Sequence, residues 1–158
     1  MNEHLLALVH KYRSKGILID ANIALLYVVG SFDIKLVRNH PRTSEYTEED
    51  FELASKFIDF FKYRITTPHV LTEVSNLLGK NLEARMVLAG YLTAANEILH
   101  GCEVLSKGTA FLRFGLTDSA IYETSKNQYL VFTDDGPLYG FLGNNKIDVV
   151  NLEQVRTI

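Results

Sequence analysis

Two short runs in this chain are almost wholly apolar, and each stops at a carboxylate. "GILI" (16–19) ends at Asp20, and "YLVFT" (129–133) ends at Asp134 and Asp135. A strand with one wet face alternates polar and apolar residues. Strands apolar on both faces belong to a sheet covered on both sides, which is nearly always parallel. A carboxylate buried without a partner costs several kcal/mol or takes up a proton. Asp20 therefore lies at an end of the sheet that reaches solvent, or a cation meets it there.

The segments between the runs are helical in pattern. Leu5, Leu6, Leu8, Val9 and Tyr12 form an apolar stripe over residues 3–14. "NIALLYVV" after Asp20 reads as helix, since a second strand would need a turn that is missing. Residues 30–46 are polar, contain Pro41 and read as a long loop of the kind that contacts a substrate or partner. Thr47 and Asp50 resemble a capping box opening a helix over 48–62. "RITT" is a short strand, and Pro68 suits the first position of a helix over 68–79, closed by Gly79. Helices are expected over 82–99 and 117–127, then the 129–133 strand, another short helix and a last strand over 146–151. Alternating strands and helices of this kind define an α/β fold of three layers, with a central parallel sheet flanked by helices. At 158 residues without linker or repeat, the chain is expected to be one domain, residues 1–14 adding a helix at its start.

Composition narrows the chemistry. One cysteine, Cys102, allows no internal disulfide and no cysteine-rich metal site. Asp20 and Asn22 interrupt the longest apolar run before it reaches the ~20 residues of a membrane span. The first residues make a poor signal peptide, so a soluble, cytoplasmic protein is expected. The formal net charge of −3 is less basic than a nucleic-acid coat usually carries. An enzyme that handles nucleic acid through a metal ion need not be basic.

Each acid has an ordinary reading. Asp20 suits a helix N-cap. Asp118, or its neighbour Thr117, suits the start of the 117–127 helix. Asp135-Gly136 is a turn signal, although the following "PLYGFLG" supplies no strand for a hairpin. Glu73 fits less easily: it lies three residues after Val70 and four before Leu77, so it interrupts an apolar helix stripe. Together, Asp20 and Asp135 end parallel strands, while Glu73 and Asp118 lie on helices abutting such ends. In open α/β sheets that edge carries the ligand site. Carboxylates gathered there repel one another unless a cation intervenes, and oxygen-only donors select Mg²⁺ or Mn²⁺. His40 and His69, each beside a proline, read as surface or loop histidines.

In order and local context, "ILIDAN", "PHVLTEV", "LTDSAIYETSK" and "LVFTDD" resemble the acidic motifs of the PIN domain, a family of metal-dependent ribonucleases that includes many toxins of toxin–antitoxin pairs. The resemblance spans about residues 16 to 151. It implies that Asp20, Glu73, Asp118 and Asp135 form a catalytic, metal-holding quartet, with Asn22, Thr133 and Asp134 in support. It further implies endonucleolytic cleavage of RNA, a small antitoxin as partner, and a homodimer. Phosphate contacts are expected from Lys35, Arg38, His40 and Arg42, or from Lys11, Arg13 and Lys15. Two other readings stand beside this one. A PIN-like fold could serve binding or assembly, its acids kept for structure. A haloacid-dehalogenase-type phosphatase would need a second Asp where Asn22 stands.

Overall fold

The computed structural model describes residues 3–126 and 128–157. Five strands form one all-parallel sheet: β1 (Ile17–Ile19), β2 (Arg64–Thr66), β3 (Asn96–Glu97), β4 (Leu130–Thr133) and β5 (Val149–Asn151), in the order β3-β2-β1-β4-β5. All residues of β1 and β4 are buried, the polar Thr133 at the end of β4 included. Among the described residues, ten helices flank the sheet, giving the expected three-layer α/β fold: α1 (Glu3–Tyr12), α2 (Ala21–Phe32), α3 (Leu36–Asn39), α4 (Glu48–Ile58), α5 (Pro68–Leu78), α6 (Leu82–Ala94), α7 (Cys102–Ser106), α8 (Thr109–Ser125), α9 (Gly136–Asn144) and α10 (Leu152–Arg156). Among the described residues, no helix is long and apolar enough to cross a membrane.

The strand order decides where a site can form. From β1 the chain builds outward through β2 to β3, then returns to lay β4 on the other side of β1. Connections leaving β1 and β4 thus diverge, opening a crevice beyond their carboxyl ends. Asp20 and Asp134-Asp135 follow those two ends.

A local cap and long-range side-chain bonds hold the frame. Thr47 Oγ1 accepts from the Asp50 N–H at 3.1 Å and Asp50 Oδ2 accepts from the Thr47 N–H at 2.8 Å, completing the capping box of α4. The Asp50 carboxylate also takes two hydrogen bonds from Arg156, at 2.7 and 3.0 Å, pinning α10 to α4. The first helix is fixed by Asp148, which accepts from Lys11 Nζ at 2.6 Å and Tyr12 Oη at 2.8 Å. At Gly30 in α2 an added Cβ would lie 2.2 Å from Phe51 Cδ2. Gly30→Ala is therefore expected to cost about 1–3 kcal/mol, the usual penalty of overpacking, read as a lower urea midpoint with an unchanged slope.

Several elements depart from the sequence expectation: the helix expected over 48–62 ends at Ile58, and the strand expected over 146–151 begins at Val149. The helix expected over 82–99 stops at Ala94, because Asn96 and Glu97 pair with Ile65 and Thr66 as an edge strand. The expected 117–127 helix is the second half of a longer one that begins at Thr109. Gly115, at φ 84° and ψ −168°, breaks α8 in a conformation that only glycine adopts freely. Finally, the segment read as loop contains α3 and packs Val37, Thr43 and Tyr46 inward.

Candidate active site

Asp20 ends β1 and caps α2. Its N–H donates to the Phe132 carbonyl at 3.1 Å, continuing the sheet ladder, and its Oδ1 accepts from the Ile23 N–H at 2.8 Å. The capping role read from the sequence is present, and a second role stands beside it. Asp20 Oδ2 faces β4, where it accepts from the Thr133 hydroxyl. That same hydroxyl oxygen accepts from the Asp135 N–H at 2.9 Å. Thr133, fully buried, thus ties the carboxyl ends of two strands together.

Asp135 caps α9 by accepting from the Leu138 N–H at 2.7 Å. Asp134 turns elsewhere and accepts from Asn22 Nδ2 at 3.2 Å and from the Tyr46 hydroxyl. Asp118 lies just past the Gly115 break. Neither it nor Thr117 caps the new helix, and among the described residues no hydrogen bond reaches the Asp118 carboxylate. The buried stripe of α5 is Val70, Val74 and Leu78. Glu73 and Leu77 are half-buried at its margin, so Glu73 leaves the stripe for the crevice.

These side chains share a cavity of about 100 Å³, lined by Asp20, Ala21, Asn22, Glu73, Asp118, Asp135 and Leu138. The four acids of the quartet, from four separate elements, all reach it. Asp134 lies outside, in a larger neighbouring cavity of about 460 Å³ with Asn22, Arg42, Tyr46 and Glu73. Electrostatics records the crowding. Burial, with Asp134 and then Asp118 nearby, pushes Asp20 up to about 8, against the opposing pull of Thr133 and the Ile23 N–H. Burial, with Asp135 and Glu73 nearby, pushes Asp118 up to about 7. Burial and the bond to Asp134 also raise the Tyr46 phenol.

The donor set suits a hard divalent cation: carboxylate oxygens, with an amide and a hydroxyl in support. Among the described residues, however, no three His, Cys, Asp or Glu side chains stand close enough together to hold a metal as they are. Joint ligation would need these side chains to stand closer together than they do.

Tyr46 escaped the sequence reading. It reaches Asp134 across 88 residues, and no local pattern signals a contact at that separation. Of the basic candidates, Arg42 adjoins the site. Lys11 is engaged by Asp148, and Arg13 and Lys15 precede β1, at the opposite end of the sheet from Asp20. His69 is no loop histidine: it is half-buried in the first turn of α5, with Nε2 3.3 Å from Cys102 Sγ.

Fold and site define an α/β protein with an acidic cavity at the switch point of a parallel sheet. No family model, no curated protein and no solved structure matches the chain.

Proposed function

We propose that this protein is a metal-dependent endoribonuclease resembling the PIN family, in which Asp20, Glu73, Asp118 and Asp135 hold Mg²⁺ or Mn²⁺. The observation that carries the proposal is the convergence of these four acids on one small cavity where the strand order reverses. When bound, a divalent cation there would activate water and offset the charge of the phosphate under attack. The chain's own groups do the positioning. Thr133 and the Ile23 N–H fix both oxygens of Asp20. Asn22 and Tyr46 hold Asp134 out of the acidic cavity. Arg42, in the wall of the adjoining cavity, offers a cation to the next phosphate of the strand.

The test is cleavage of labelled single-stranded and structured RNA with Mn²⁺, with Mg²⁺ and with excess EDTA. Cleavage is expected with either cation and not with EDTA, and Asp20→Asn is expected to abolish it. The spread of the carboxylates favours one other reading, a binding or assembly module whose acids hold no metal. That reading predicts a folded protein indifferent to both cations and EDTA.

As the toxin of a toxin–antitoxin pair, the protein would be covered at its acidic cavity by a small antitoxin and would pair with a second copy of itself. A neighbouring gene for a small DNA-binding protein supports that assignment, and an isolated gene counts against it.

A further inference from the structure

The acidic cavity has a second neighbour. It is about 450 Å³ in volume, lies between α5, α7 and the middle of α8, and shares the Glu73 wall with the acids. Its lining differs in kind from that of the Arg42 cavity. Pro68, His69 and Leu116 give flat or apolar walls, Thr72, Asn76 and Thr117 supply hydrogen-bonding groups, and no Lys or Arg is present. The His69 ring is held by its contact with Cys102 Sγ at 3.3 Å.

We infer that this cavity seats the unpaired nucleobase next to the phosphate being cut, and that it sets the base preference of the enzyme. The inference rests on the nuclease reading. The cavity beyond Glu73 has apolar walls, hydrogen-bonding groups and no Lys or Arg, whereas the Arg42 cavity also carries Glu45, Glu73 and Asp134. A space of the first kind offers a phosphate nothing and suits an uncharged aromatic ring. The acidic cavity itself is small, about 100 Å³, and has no room for a base still stacked in a duplex. The base beside the scissile phosphate therefore leaves its neighbours, as bases do at enzymes that act on single strands. Unstacked bases are read by stacking on side-chain planes and by hydrogen bonds to their edges. Here His69 and Pro68 provide the planes, and Thr72, Asn76 and Thr117 the edge contacts. Continuity with the acids through Glu73 singles out a base over any other apolar ligand.

The experiment titrates the four ribonucleosides, which carry no phosphate, into the full chain with EDTA present, followed by amide NMR. Saturable shifts are expected at His69, Thr72, Asn76 and Thr117, strongest with one nucleoside and lost in Thr72→Trp, which fills the cavity from an exposed position. Cut sites are then mapped on single-stranded RNA of random sequence. The wild type is expected to favour one base beside the cut, and the ratio of preferred to other sites falls about tenfold or more in Thr72→Trp and Asn76→Ala, the discrimination one base contact carries. Resonances that stay still up to about 10 mM nucleoside, weaker than any useful single-base contact, overturn the inference whatever the cleavage assay shows. Unchanged base preference in both variants overturns it as well. Pocket shifts in a protein that cuts no RNA uphold a nucleoside site here and remove the nuclease reading instead.

Discussion

Asp118→Asn is expected to raise the melting temperature of the cation-free protein at pH 8 and to lower RNA cleavage by about a hundredfold or more. The first effect follows from where the carboxylate sits. It is half-buried with no hydrogen-bond donor among the described residues, and burial, Asp135 and Glu73 push it up to about 7. At pH 8 the folded protein carries this charge at a cost that the unfolded chain, in water, does not bear. Asparagine has nearly the same shape and no charge. With allowance for water reaching the cavity, the gain is about 2 kcal/mol, or about 4–8 °C for a chain of this length. It shrinks toward nothing below about pH 3, where both folded and unfolded Asp118 are protonated. The second effect follows from losing one charged group at a site built around charge, for which a loss of a hundredfold to a thousandfold is usual. A residue that destabilises its own fold and is needed for activity is the pattern functional sites show. Thermal melts and cleavage rates of one preparation read both effects. A lowered melting temperature would mean that Asp118 has a favourable partner, and the repulsion argued here would be absent.

How far the site was legible depends on how local each signal is. Asp20 could be found because three fully buried residues precede it, and a carboxylate closing such a run is costly enough to need a reason. The sheet direction then placed Asp135 beside it without any structure, since parallel strands align their carboxyl ends. Thr133 was implied only by the resemblance to the PIN motifs, and its bond to Asp20 joins residues 113 apart in sequence. Glu73 was legible as a break in an apolar stripe, though its place at the margin depends on how α5 rolls against its neighbours, which periodicity does not fix. The Asp118 segment was located one half-helix short. Gly115 ends the regular pattern, and a chain seen locally cannot tell a helix start from a break in a longer helix. Two features left no local trace. A strand of two exposed residues, Asn96 and Glu97, exists only because β2 offers an unpaired edge. The hold of Tyr46 on Asp134 depends on how α3 and its turn fold back over the crevice, a matter of packing between distant segments.

In cation-free buffer, stability is expected to fall as pH rises from about 4 to about 8, the reverse of most proteins over the acid half of that range. An acid whose folded-state pKa is raised stabilises the fold fully below its unfolded value of 3.8. It loses that contribution as pH climbs to the folded value. For Asp118 the window closes near 7 and for Asp20 near 8. Within it, each group removes about 1.4 kcal/mol per pH unit at most, and water entering the cavity reduces this. Asp50 acts in the opposite sense. Burial pushes it up, but Arg156 and Thr47 outweigh that and hold it low, so its contribution is present at neutral pH and lost below about 4. The two slopes place the stability maximum near pH 4 to 5, below the usual range. Millimolar Mn²⁺ or Mg²⁺ should move that maximum toward neutrality. A cation bound only to the folded protein, at a hundred times its dissociation constant, adds about 2.7 kcal/mol, or roughly 5–10 °C here. It does so at pH 8 and barely at pH 5, where protons occupy the same oxygens. Half-molar KCl separates the site from general screening: it weakens surface charge effects but reaches Asp20, 4% exposed, far less. A melting temperature that ignores both pH and divalent cations would mean that the acids never ionise against one another, and the cation reading would lose its physical basis. A rise confined to high pH and to divalent ions would show that the charge interrupting the first buried strand is balanced by a metal.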